Sequence, residues 1–185
     1  MNRFRMIFFL LILSSTADAQ FLKEIDVGLS LRSTTHLTQM YRDLYSPDSH
    51  LNLSVHTPFH VGHLQGNIRY FKSNAIPEDS EDYTQLNAEL FWLAGVPLSP
   101  SLRIFAGIGT GAEIYFIDSW GGSTMETEVL FALKSELQYT WRNLILFSDV
   151  TLTRVHIYYK MEYISFGAGL RYRFRPSQEV LNAIR

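Results

Sequence analysis

The chain carries about eight runs in which apolar and polar residues alternate one for one, and turn-forming or polar segments separate them. A period of two is the side-chain period of a β-strand, so each run presents one apolar and one polar face. Strands cannot stand alone with an unsatisfied edge and an uncovered apolar face. A sheet of this many alternating strands therefore closes into a barrel or packs as a sandwich.

The first run covers 22–33, with Ile25, Val27, Leu29 and Leu31 opposite Glu24, Asp26, Ser30 and Arg32. The second, 50–56, sets Leu51, Leu53 and Val55 against Asn52, Ser54 and His56. The third, 63–72, sets Leu64, Ile68 and Tyr70 against Gln65, Asn67 and Arg69, and the fourth, 83–93, sets Leu86, Ala88, Leu90 and Trp92 against Gln85, Asn87 and Glu89. The fifth, 101–117, carries Leu102, Ile104, Ala106, Ile108, Ala112, Ile114 and Phe116 opposite Arg103, Gly107, Gly109, Gly111 and Glu113. The sixth, 127–140, has Val129, Phe131, Leu133, Leu137 and Tyr139 opposite Glu128, Lys134, Glu136 and Gln138. In the seventh, 143–156, Leu144, Leu146, Val150 and Leu152 oppose Asp149, Thr151 and Thr153, while Ile145 and Phe147 interrupt the polar face. The eighth, 161–174, ends with Phe166, Ala168, Leu170, Tyr172 and Phe174 opposite Ser165, Gly167, Gly169, Arg171 and Arg173.

The connections alternate in length. Those after runs two, four and six are short (57–62, 95–100 and 141–143), whereas 34–49, 73–82 and 118–126 are longer and polar. Short turns on one side and longer loops on the other, with an even strand count, are the pattern of outer-membrane barrels. The connection after run seven, 156–160, is shorter than that pattern predicts.

The amino end agrees on compartment. Arg3 and Arg5 precede eight apolar residues, Met6 to Leu13, and Ala17-Asp18-Ala19 has the small-x-small form of a signal peptidase site. Residues 1–19 read as a signal peptide, 20–174 as one barrel domain, and 175–185 as a periplasmic tail. Eight apolar residues are too few for a membrane-spanning helix, which needs about 20. The chain has no cysteine, which excludes a lipidated cysteine anchor, disulfides and thiolate metal sites. Removing 1–19 takes two of the 16 basic residues and one of the 18 acidic ones, leaving about −3. That balance gives no reason to expect a nucleic-acid partner.

Alternation alone does not say which face is inside. Glycines 107, 109, 111, 167 and 169 lie on the polar face, and the interior of an eight-stranded barrel is crowded enough to favour small residues. Trp92, Tyr139, Trp141, Tyr172 and Phe174 close runs that descend to one rim, with Phe59 just past the second, as in an interfacial aromatic girdle. Both observations put the polar face in the lumen and the apolar face against lipid. Glu24, Asp26, Glu89, Glu113, Glu128, Glu136 and Asp149 then share the interior with Arg32, Arg69, Arg103, Lys134, Arg171 and Arg173. An unpaired charge in so narrow a space costs several kcal/mol, so near-balance predicts a paired, side-chain-filled lumen rather than an open pore.

With these features the chain resembles the small eight-stranded outer-membrane proteins of the OmpA/OmpX type, the "outer membrane protein beta-barrel" class of Gram-negative bacteria. Its most specific piece, Leu170-Arg171-Tyr172-Arg173-Phe174, resembles the terminal-strand signal read by the barrel-assembly machinery, although eleven residues follow Phe174. The resemblance implies an all-β, antiparallel, up-and-down transmembrane barrel of the cell envelope. It further implies a monomer with outer-membrane lipids and lipopolysaccharide around it and the assembly machinery as a partner during biogenesis.

Several short patterns suggest chemistry. Asp118-Ser119-Trp120 resembles a loop motif of lipid A palmitoyltransferases, and Asp43-Leu44-Tyr45-Ser46-Pro47 is similar to a segment of the same proteins. An acyl-transfer or deacylase site of this kind needs a hydroxyl beside a base, for which His36 or His50 is placed near the outer rim. Asp and Ser after a strand are also ordinary turn formers. His56, His60 and His63 cluster at a turn, but four residues along an extended strand span roughly 13 Å, too far for one ion unless the turn folds back, so turn or interfacial histidines are expected. Pro77 to Asp82 is an acidic loop without the glycine and ligand spacing of a calcium site. Gly107 to Gly111 lies inside a strand with no following helix or lysine, unlike a phosphate loop. The sequence thus predicts no catalytic, cofactor-binding or metal site. The leading expectation is a non-enzymatic membrane barrel with a structural or surface-interaction role. A lipid A-modifying barrel and a soluble, lipocalin-like periplasmic carrier with inverted faces are the alternatives.

Overall fold

The computed structural model describes residues 24–77, 82–119, 122–156 and 160–175. The signal segment 1–19, most of the tail, Trp120 and the acidic residues 78–81 lie outside the described residues. Eight strands follow in order: β1 (Ile25–His36), β2 (Asp48–Phe59), β3 (Gly62–Ser73), β4 (Tyr83–Pro97), β5 (Leu102–Ser119), β6 (Gly122–Trp141), β7 (Leu144–Val155) and β8 (Met161–Phe174). One short helix, α1 (Gln39–Leu44), lies between β1 and β2. Each strand pairs antiparallel with the next, and β1 pairs with β8 from Ile25↔Phe174 to His36↔Tyr163, which closes the barrel.

The facing follows the alternation. Leu29, Leu31, Ile68, Tyr70, Leu90, Ile108, Phe131, Leu133, Leu146, Phe166 and Leu170 point outward, while Arg32, Asn52, Arg69, Glu89, Glu113, Lys134, Glu136, Asp149 and Arg171 are buried within. A lipocalin-like carrier has the opposite arrangement, so the inverted alternative is corrected. Tyr139, Trp141, Tyr172 and Phe174 face outward on the rim that holds the described ends of β1 and β8. Trp92, expected to close its strand at that rim, instead faces outward higher up and opposite Ile108, because β4 runs on to Pro97. At this rim the turns β2–β3 and β6–β7 each leave two residues between strands, and the first of each, His60 (φ 47°) and Arg142 (φ 56°), is left-handed. Primed two-residue turns require that conformation.

Two expectations about the outer end are revised. Residues 118–119 and 122–126 are strand rather than loop: β5 and β6 run on to Ser119↔Gly122 and form a tall hairpin. Polar residues there hid the strand, because a strand above the membrane has water on both faces and loses its alternation. The segment 34–49 is also more ordered than a plain loop. Its turn of helix α1 is too short to show a helical period.

The lumen is less uniformly polar than alternation suggests. Phe91, Leu93, Phe105, Leu130, Ile145, Phe147 and Tyr163 fill it alongside the charges. Glycines make the room: a Cβ at Gly109 would stand 2.4 Å from Phe91 Cδ1, and one at Gly167 would stand 3.1 Å from Asp149 Oδ1. Gly109→Ala should therefore lower stability by about 1–3 kcal/mol through overpacking. Urea unfolding in vesicles measures this, and Phe91→Leu in the same chain should restore part of the loss.

Candidate functional site

Three charged clusters occupy successive levels of the lumen. Nearest the terminal rim, Arg173 on β8 donates from Nε to Asp26 Oδ1 (2.8 Å) and from NH2 to Asp26 Oδ2 (3.0 Å), with Glu24 at 3.0 Å. Asp26 also faces His56 Nδ1 at 3.4 Å. The His56 ring stacks on His63 with centroids 4.7 Å apart, and Phe105 lies edge-on to both. The straight-strand distance used to separate these histidines does not apply, because the β2–β3 turn folds the chain back. They are luminal residues rather than turn or interfacial ones, while His60 remains exposed at the turn. No group of three or more metal-ligating side chains suited to an ion occurs among the described residues.

At mid-height one chain of contacts crosses from β1 through β7 and β6 to β8. Arg32 NH2 donates to Asp149 Oδ1 (2.5 Å) and Thr151 Oγ1 (2.8 Å). Lys134 Nζ bridges Asp149 Oδ2 (3.0 Å) and Glu136 Oε2 (3.2 Å). Arg171 grips Glu136 with both terminal nitrogens (2.5 and 2.8 Å) while its guanidinium lies 3.8 Å from the Phe147 ring centroid. Two-pronged arginine–carboxylate pairs fix orientation as well as charge. Ile145 and Phe147, which break the polar face of β7 in sequence, are thus luminal, and Phe147 supplies the platform under Arg171.

Higher up, Arg69 NH2 donates to Glu89 Oε1 (2.7 Å) and Tyr163 Oη (2.8 Å), and Asn67 also donates to Glu89. Glu113 accepts from Asn87 Nδ2 (2.7 Å) and from the hydroxyls of Tyr115 and Tyr163. The expected pairing therefore exists, with two members displaced: Arg103 is exposed at the rim, and Glu128 is only half-buried. Tyr115 and Tyr163 were missed because tyrosine reads as apolar in a periodicity argument. Their hydroxyls supply the donors that Glu113 needs.

The outer mouth is aromatic. His36 contacts the rings of Tyr41, Tyr45 and Tyr163 at 5.8, 6.3 and 6.2 Å, Tyr45 meets Tyr83 at 4.8 Å, and His50 stacks on Phe71 at 4.3 Å. Tyr41 and Tyr45 come from α1 and its end, which fold over the mouth. That segment is tied on one side by Leu37 N to Glu162 O (2.8 Å) and on the other by Ile76 N to Leu44 O (2.7 Å). Both histidines proposed as bases are thus packed inward among aromatic rings. Asp118 and Ser119 end β5, but their side chains lie outside the described residues. In the acidic loop, Asp82 is a clamp: it pairs with Lys72 Nζ (2.6 Å) and accepts from Ala75 N (2.9 Å). The hydrogen bond from Lys72 holds its carboxyl below the ordinary range.

No protein-family model and no curated protein matches the sequence. Solved structures match by shape. OprG from Pseudomonas aeruginosa aligns with a TM-score of 0.62 at 9% identity, over 86% of this chain and 100% of that one. Neisserial surface protein A aligns at 0.57 and 10%, over 82% and 96%. Ail of Yersinia pestis, in a complex with the heparin analogue sucrose octasulfate, aligns at 0.53 and 14%, over 82% and 97%. The chain has the fold of the small outer-membrane β-barrels. At these identities the likeness carries the fold and the strand count, and the girdle and apolar exterior described above fit a membrane setting. The barrel is taller on one side: β5 and β6 have 18 and 20 residues, against 12 in β1, β2, β3 and β7.

Proposed function

We propose that this is a non-enzymatic outer-membrane barrel that does not conduct ions and acts through its outer hairpins at the cell surface. Export would use the signal peptide 1–19, and insertion would use the barrel-assembly machinery reading the β8 end. The mature protein would sit as a monomer among outer-membrane lipids and lipopolysaccharide. The supporting observation is the run of ion pairs across the lumen, Arg32–Asp149–Lys134–Glu136–Arg171, backed by Phe91 and Phe147. Opening a water path through that level means separating buried pairs, which costs several kcal/mol for each ion left alone. A non-enzymatic role is supported by the inward, aromatic packing of His36 and His50, which takes them away from a surface-exposed hydroxyl. In planar bilayers the purified protein should give no steady single-channel steps. Large, sustained steps would overturn the closed-lumen reading.

A further inference from the structure

The tall β5–β6 hairpin has one open side. β5 is paired with β4 as far as Ile117↔Tyr83, so its outer part is covered. On the other side, β6 pairs with β7 only from Leu130↔Val155 downward. One more bond, His156 N to Val129 O (3.1 Å), ends that ladder. Above it Gly122–Glu128 is bonded to β5 alone, and among the described residues no strand lies on its second side.

The bond at Val129 also gives the direction of the free groups. Along an antiparallel strand, alternate residues send both N–H and C=O to the same side. Val129 points toward β7, so Thr127, Met125 and Ser123 point the same way, above the end of β7. Three residues therefore offer a ladder of donors and acceptors to an incoming chain. Exposed edges of this kind are templates for strand addition, and charge is one way a protein limits which chains can use them. Here the charges are Glu126 and Glu128, on one face of the edge, with Met125, Thr127 and Val129 on the other. Among the described residues neither carboxylate forms an ion pair.

We infer that the β6 edge above Val129 binds an extended, basic segment of a partner polypeptide as an added strand. Lysine or arginine at every second position of that segment falls opposite Glu126 and Glu128, and apolar residues between them meet Met125 and Thr127. A second copy of this chain fits poorly. Antiparallel self-pairing centred on residue 126 or 127 sets carboxylate against carboxylate, and like charges directly opposite are destabilising. The inference rests on the surface-interaction reading above, and its failure would leave the bilayer conductance result standing on its own.

The test uses the full mature chain in a phospholipid bilayer and a capped heptapeptide alternating lysine and valine. The lysine peptide should bind, slow amide exchange at Ser123, Met125 and Thr127 at least about tenfold, and weaken as salt rises. A glutamate–valine peptide should not bind. Thr127→Pro removes one edge N–H that faces away from β5, which an edge position tolerates. It should weaken peptide binding while heat-modifiable gel migration shows the barrel intact. Glu126→Lys with Glu128→Lys should invert the preference between the two peptides. Failure of the lysine peptide to bind, equal binding by Thr127→Pro, or protection confined to other amides would overturn the inference. So would a dimer that Thr127→Pro dissolves, since that assigns the edge to a second copy.

Discussion

Glu136→Ala is expected to lower stability by about 3–5 kcal/mol, the usual cost of removing one partner from a buried ion pair. The side chain is 1% exposed as a residue and serves four donors: both terminal nitrogens of Arg171, Lys134 Nζ and Gln138 Nε2 (2.6 Å). Its loss leaves Arg171 without a carboxylate at mid-lumen and Lys134 with Asp149 alone. Asp149 is already shared with Arg32 and cannot neutralise two cations. Glu136→Gln should fall in the same direction, because an amide keeps the shape but not the charge. The double variant Glu136→Leu with Arg171→Met separates charge from volume. Replacing both members of a buried pair by apolar residues is often neutral or stabilising, so the double variant should be closer to wild type than either single change. Urea unfolding in vesicles reads all three. Equal stability of wild type and Glu136→Ala would mean that water reaches this level of the lumen, and the closed-lumen reading would fall with it.

The legible and illegible parts of this fold divide along a physical line. Strands within the membrane have lipid on one side and a packed, largely polar lumen on the other, so most of them alternate clearly enough to be placed to within a few residues; the eighth run matches β8 at both ends. Above the membrane that contrast vanishes, and Gly122 to Glu126 of β6 reads as loop although it is strand. The lumen was legible as charge but not as volume. Arg171 and Glu136 announce themselves as a pair, whereas Phe147 beneath Arg171 looks like an error in the pattern. Contacts made by a turn were illegible for a third reason. His56 and His63 stack because of the two residues between β2 and β3, and strand geometry alone keeps them apart. Thr38 shows the same limit at the outer end. It accepts from Glu162 N (2.9 Å) across 124 residues of sequence, a tie between α1 and β8 that no local pattern contains.

Ile108→Lys is expected to be the most damaging single change on the exterior. Ile108 is 63% exposed, opposite Trp92 on β4 and Leu133 on β6, and so is surrounded by lipid-facing side chains. The aromatic girdle on this side is marked by Tyr139, which pairs with Leu102 at the start of β5. With a rise of about 3.4 Å per residue and a strand tilt near 40°, Ile108 sits roughly 16 Å above that rim. An apolar band about 25 Å tall puts it near the midplane, where lysine costs about 2–4 kcal/mol. Ile104 shares the face but lies only roughly 5 Å from the rim, so a lysine there reaches the interface and should cost about 0–1 kcal/mol. The pair therefore measures depth, not merely the loss of an isoleucine. Unfolding midpoints in vesicles and the folded fraction by gel migration should both place Ile104→Lys near wild type and Ile108→Lys well below it. Equal losses at the two positions would show that the penalty is not set by lipid depth, and the membrane placement of β5 would have to be redrawn.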